Sequence, residues 1–292
     1  MKVLVLGASG LLGHAMLRIL GATPGWSVRG AMRNVAARDA LAPPVAKQVI
    51  LCGDLEDSAS LTELFGVARP DVVINCLSIA KKHLRDEEFR TVISRLSVLP
   101  QRIAHECRLA GARLIHFSSD GVFSGSRGNY SEDDTPDASD VYGVAKLLGE
   151  VRDAGAISIR TSMIGHELGS SSGLLEWFLA QQKSATCFRR VIFSGLPSTE
   201  LAKIVRDVVI PKESLCGVYH VAAEPISKYD LLCLVARVYG KSITIEPDDR
   251  VAIDRSLDAG RFARDTGYRP PPWPKLVTEM HDDHRHQAGR TA

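Results

Sequence analysis

Tyr142 and Lys146 stand four residues apart in the stretch DVYGVAKLLGE, Asp140 to Glu150, and on a helix that spacing puts both side chains on one face. A ketone that accepts a hydride also needs a proton, and a tyrosine with its ordinary pKa of about 10 is a poor donor near neutral pH. A lysine ammonium beside it favours the tyrosinate and is expected to bring that pKa down, and a ribose hydroxyl of a nicotinamide cofactor can join the relay. Ser119, in HFSSD, follows a strand-like run and can hydrogen-bond the ketone oxygen as charge builds on it. Ser119, Tyr142 and Lys146 are therefore the candidate catalytic residues. A tyrosine and a lysine at this spacing also decorate ordinary helices, so the reading depends on their company.

That company begins at the first residues. VLVLGASGLLGHAMLRIL reads as strand, glycine turn and amphipathic helix, with Gly7, Gly10 and Gly13 in G-x-x-G-x-x-G spacing. Gly7 permits a tight turn, Gly10 lets the backbone approach a pyrophosphate, Gly13 lets the helix pack on the strand, and the helix N-terminus offers free N–H groups. Gly7, Ser9, Gly10, Leu11 and Leu12 are the expected pyrophosphate contacts. The second strand ends in VRGAMRN, which has no carboxylate to bind ribose hydroxyls but has Arg29 and Arg33. NADPH is thus favoured, with NADH as the open alternative, and Arg33 at the loop edge is the expected partner of the extra phosphate. Asp54 and Leu55 in GDLED are expected at the adenine, while Cys76, Leu77 and Ser78 line the place where the cofactor must cross. Asn75 and Cys76 equally suit plain strand-end packing.

These residues need a scaffold, and the chain supplies one by alternation. Strand-like runs KVLVLG, WSVRGAM, KQVILC, DVVINCL, ARLIHFS and AISIRTS are each followed by a helical pattern, which implies βαβ units and a doubly wound parallel sheet of the Rossmann type. Pro100 lies inside a long helical pattern from Glu87 to Gly111 and should bend it or mark its junction with a flanking turn. Residues 1–164 are expected to form the NADP-binding domain. Residues 165–280 are expected to form mainly a smaller substrate-binding lobe that can return elements to the main domain, with helices near Leu174 to Gln182, Thr199 to Val209 and Lys228 to Tyr239. The polar residues 281–292 read as a flexible tail.

At 292 residues, with 45 % hydrophobic and 24 % charged, the composition is that of a globular chain rather than a disordered one. A formal net charge of +2 without runs of like charge excludes a nucleic-acid or membrane-surface reading. No stretch reaches the roughly 18 apolar residues a membrane span needs, and glycines interrupt the apolar start. The six cysteines are scattered without metal or redox spacing, as in a reduced, cytoplasmic protein, and the histidines show no metal-ligand pattern.

The glycine loop, HFSSD and Y-x-x-x-K in this order resemble the extended short-chain dehydrogenase/reductase superfamily. RLIHFSSDGVFSG, YSEDDTPDASDVYGVAKLLGE, IRTSMIG, GVYHVAA, RSLDAGRF and TGYRPPPW resemble, in order and spacing, the dTDP-4-dehydrorhamnose reductase family, from Met1 to about Met280. The resemblance implies hydride transfer from NADPH to the 4-keto carbon of a nucleotide-activated 6-deoxysugar, with Tyr142 as acid, and a homodimer through helices beside the catalytic one. It also implies substrate contacts from Ser119, Asp120, Gly121 and Met163, with Lys81, His166 and Arg255 on pocket loops; Glu167 and Thr199 sit where such loops fall. Two positions depart from the family: Gly121 stands where a tyrosine is frequent, and Met163 where an aromatic is. An epimerase-reductase would need a further acid/base pair, which Gly121 cannot supply, and a nucleotide-sugar epimerase that holds NAD tightly should prefer an acidic end to the second strand. A non-catalytic NADP-binding regulatory subunit would not need the acid at all.

Overall fold

Val3, Leu4, Val5 and Leu6 are each at most 2 % exposed, and a strand apolar on both faces belongs inside a parallel sheet covered by helices. That is where this one lies. The structure, a computed structural model, describes residues 1–79, 89–168 and 173–291, the last four by backbone alone. Strands β1 (Lys2–Leu6), β2 (Ser27–Met32), β3 (Val49–Leu51), β4 (Val72–Asn75), β5 (Arg113–Phe117) and β6 (Ala156–Arg160) join Gly217–His220 in one seven-stranded sheet. Its order is Gly217–His220, β6, β5, β4, β1, β2, β3, all parallel. The winding direction reverses between β1 and β4, so their carboxyl ends open a crevice at the switch point.

Side chains of alternating parity cover the two faces. Val3 and Val5 pack with Met16, Leu17 and Leu20 of helix α1 (Leu11–Gly21), whereas Leu4 and Leu6 meet Leu61, Phe65 and Ile103 on the other side. The later chain returns to the same body: Gly217–His220 joins the sheet, helix Ser198–Ile204 packs on α1, and one buried cluster runs from Val3 to Phe193, Leu232 and Trp273. Three small sheets complete this part. Val191–Phe193 pairs with Ile226–Ser227 and Ile253–Asp254, Ser184–Phe188 with Thr244–Asp248, and Met163–Ile164 with Leu196–Pro197.

The polar end corrects the expectation of a frayed tail. The last helix runs Trp273–Thr291, and Asp283 accepts two hydrogen bonds from the Arg18 guanidinium of α1, at 2.8 and 2.5 Å. A buried face, with Leu276, Val277 and Met280, starts the helix, and this bidentate pair holds its continuation.

Pro100 marks a junction with a widened turn rather than a simple bend. The segment passes from helix Phe89–Ile93 through a π-turn, Ser94–Val98, into helix Leu99–Ala110, with Pro100 in the first turn of the last piece. Having no N–H, Pro100 cannot engage the Leu96 carbonyl. Gly149, at the end of the Tyr142 helix (Val141–Leu148), occupies the space beside it: a Cβ on Gly149 would lie 1.9 Å from the Leu96 oxygen. Gly149→Ala should therefore cost about 1–3 kcal/mol through overpacking. The check is the urea midpoint, and an unchanged midpoint would contradict the close approach.

Candidate active site

The glycine turn is built by three different needs. Gly7 has φ +77°, which favours glycine, and a Cβ there would press on the Cys76–Leu77 peptide at 3.1 Å. Gly13 is forced by packing, since its Cβ would stand 2.1 Å from the Gly7 oxygen. Gly10 is different: its Cβ would meet only the Gly7 oxygen, at an ordinary 3.4 Å. Among the described residues no contact demands a glycine at 10, and the bare, exposed backbone there caps α1 toward the crevice. A pyrophosphate on the α1 N-terminus is a ligand that this bareness fits.

The crevice is a cleft of ≈ 680 Å³ along the carboxyl ends of the strands. Gly7, Ser9, Gly10, Leu11 and Leu12 form one wall, and Arg33, Asp54 and Leu55 close its β2–β3 end. Cys76, Leu77 and Ser78 cross the middle, and Ser119, Asp120, Gly121, Tyr142 and Lys146 form the β5 end with Met163 and Arg255. The structure thus brings together nearly all the residues singled out by motif. Lys81 lies outside the described residues. His166 is a correction: it does not line the cleft, because its ring bonds Glu176 at 2.7 Å and the Tyr239 hydroxyl at 2.9 Å and stacks on His284 at 3.6 Å. Thr199 is likewise turned into a buried helix, whereas Glu167 does line the cleft. Asn75 is strand-end structure, its amide donating to His116 Nδ1 at 3.1 Å and its oxygen accepting from Leu77 N–H.

At the β5 end the residues constrain one another closely. Gly121 N–H donates to Ser119 Oγ at 3.0 Å and Ser119 Oγ donates to Asp120 Oδ1 at 3.2 Å, while the Ser119 and Ser78 hydroxyls act on the Tyr142 hydroxyl. A Cβ on Gly143 would sit 2.3 Å from the Gly121 oxygen, so the helix carrying Tyr142 touches the Ser119 turn directly. Gly121 follows from the same crowding. Its Cβ would lie 3.1 Å from Ser119 Oγ and 3.2 Å from the Tyr142 ring, and a larger residue would push them apart.

The pKa logic differs from the expectation. Burial pushes the Tyr142 hydroxyl up and the Asp120 and Asp140 charges raise it further, while the Ser78 and Ser119 hydroxyls pull it down. Lys146, 2 % exposed, instead donates to the Phe117 carbonyl at 2.7 Å, and burial lowers it to about 8 against the raising charge of Glu150. Glu150, the last residue of the opening stretch, accepts from Arg160 Nε at 2.6 Å and Nη2 at 2.9 Å and from Ser118 Oγ at 3.0 Å. Arg95, Glu56, Thr161 and Ser162 also line the cleft and escaped sequence reasoning. Arg95 sits on the π-turn and pairs with Glu56, a placement no local pattern announces.

The family model described as RmlD substrate binding domain matches residues 1–285. Over 275 residues the chain is 26 % identical to methionine adenosyltransferase 2 subunit beta of Xenopus tropicalis, covering 84 % of this chain and 76 % of that one. It is 27 % identical over 294 residues to the spore coat polysaccharide biosynthesis protein SpsK of Bacillus subtilis, covering 95 % and 96 %. Its fold is similar to that of dTDP-4-dehydrorhamnose reductase from Bacillus anthracis, solved in complex with NADP, with TM-score 0.80, 18 % identity and coverage of 97 % and 99 %.

The Lys146 position yields a pH test. Its pKa is lower folded than unfolded, so between about 8 and the ordinary lysine value of about 10.4 the unfolded chain binds a proton the folded one lacks, and stability rises with pH. Denaturation of the wild type and of Lys146→Met across that interval should show the wild type gaining relative to the variant. A flat difference would contradict the buried ammonium.

Proposed function

Since the chain belongs to the family described as RmlD substrate binding domain, we propose that it is an NADPH-dependent reductase of a nucleotide-activated 4-keto-6-deoxysugar, with NADH as the alternative donor, serving deoxysugar or surface-polysaccharide biosynthesis in the cytoplasm. The observation that carries this reading is the meeting of a pyrophosphate-shaped glycine loop with Ser119, Tyr142 and Lys146 in one cleft. The name of SpsK and the NADP in the Bacillus anthracis structure point the same way. No helix among the described residues is long and apolar enough to cross a membrane, and all six cysteines are unpaired.

When bound, NADPH supplies a hydride for the sugar C4. Gly7, Gly10 and the first N–H groups of α1 hold the pyrophosphate, and Arg33 takes the 2′-phosphate. Tyr142 gives its proton to the C4 oxygen, while Ser119 donates a hydrogen bond to that oxygen. Burial keeps the proton on Tyr142 until the oxygen takes up charge. The Lys146 ammonium, held at the Phe117 carbonyl, then stabilises the tyrosinate left behind.

A second reading is favoured by one observation, the likeness to methionine adenosyltransferase 2 subunit beta over 84 % of the chain: an NADP-binding regulatory subunit. One experiment separates the readings. The full chain is incubated with NADPH and a panel of nucleotide 4-keto-6-deoxysugars in deuterated water, and products are identified by NMR. Consumption of one NADPH per sugar without deuterium at C3 or C5 is expected, and Tyr142→Phe should lower kcat/KM at least about a hundredfold with NADPH binding retained. Label at C3 or C5 would indicate an epimerase-reductase; turnover unaltered by Tyr142→Phe would remove the catalytic reading.

A homodimer belongs to the same proposal. Val141, Val144 and Leu148 form an exposed stripe on the Tyr142 helix, 40, 37 and 58 % accessible, beside Val98 on the π-turn. Such a face on two copies buries itself by self-pairing. Sedimentation should give a dimer that Leu148→Glu dissociates, and a wild-type monomer would end this part of the proposal.

A further inference from the structure

Arg33 and Asp54 follow neighbouring strands, β2 and β3, and their side chains meet at the far end of the cleft. Arg33 Nη1 donates to Asp54 Oδ2 at 3.2 Å, while Asp54 Oδ1 accepts from the Glu56 N–H at 3.1 Å. The carboxylate is thereby fastened to its own loop by one oxygen and holds the guanidinium by the other. Both side chains remain about half exposed, 55 % and 51 %, and both line the cleft. The same carboxylate that orients Arg33 must therefore face any phosphate that Arg33 binds.

We infer that Asp54 is a specificity-determining residue that moderates the preference for NADPH over NADH by occupying Arg33. This rests on the dinucleotide reading above and goes further, since it assigns discrimination to an ion pair rather than to Arg33 alone. A 2′-phosphate and Asp54 carry charge of one sign and compete for one guanidinium fork. With NADH there is no such competitor, and Asp54 is left with Arg33. At this exposure the pair is easily exchanged, so both dinucleotides are usable and the ratio between them is modest.

The test is a binding measurement on the full chain, reading nicotinamide fluorescence with NADPH and with NADH for wild type, Asp54→Asn, Arg33→Ala and the double variant. Asp54→Asn should raise the ratio of the NADH Kd to the NADPH Kd about threefold to tenfold. Arg33→Ala should abolish the preference, and the double variant should behave like Arg33→Ala, because Asp54 acts through Arg33. If Asp54 touched only the adenine, Asp54→Asn would weaken both dinucleotides equally, and an unchanged or lowered ratio overturns the inference while leaving the cofactor reading intact. A wild type that binds neither dinucleotide overturns both.

Discussion

An ammonium withdrawn from water costs several kcal/mol unless its charge and its hydrogen-bond donors are met, and the β5 end of this protein is arranged around meeting those of Lys146. One donor goes to the Phe117 carbonyl, which ties the catalytic helix to the last residue of β5. The compensating carboxylate, Glu150, stands four residues on, and it also serves the buried Arg160 and the Ser118 hydroxyl. Lys146 thus feels the charge of a carboxylate that Arg160 and Arg152 hold directly. The imidazoles nearby are accordingly kept neutral: burial and Arg160 lower His220 to about 3, and burial and Lys146 hold His116 well below its ordinary range. His220 donates from Nδ1 to the Tyr130 carbonyl and accepts from Arg160 through Nε2, as a neutral ring can.

Ser119 inherits its position from this arrangement. Phe117 and Ser118 are held from below by Lys146 and Glu150, and the following turn is pressed against the catalytic helix through the Gly121 carbonyl and Gly143. The other end of that helix is seated on the π-turn through Gly149 and the Leu96 carbonyl, and Ser97 Oγ donates to Ala145 O. Two glycine contacts, one at each end, therefore fix where the Tyr142 hydroxyl lies. The π-turn that Pro100 accompanies is part of the site's support even though its own side chains, Arg95 excepted, stay out of the cleft.

Much of this was legible along the chain. The strands, the glycine turn and the helices near Leu174, Thr199 and Lys228 are local features, because period, turn chemistry and apolar runs act over a few residues. Topology followed from alternation, and the switch point then gathers the ends of β1, β4 and β5 whatever the intervening loops contain. That is why residues as far apart as Gly7, Asp54, Ser119 and Arg255 were found on one cleft from spacing and resemblance.

What the linear pattern could not settle depends on contacts between distant segments. His166 looked like a pocket residue by its place after a strand, but Glu176, Tyr239 and His284 claim its ring. The polar end looked frayed until Arg18 of α1 met Asp283. The sign of the Tyr142 shift turned on burial, which i,i+4 spacing does not contain. Residue types and spacing were enough for the elements and for the chemistry at hand, because those are set by neighbours in the chain; desolvation, charge balance and the pairing of Arg33 with Asp54 exist only once the fold has brought strangers together.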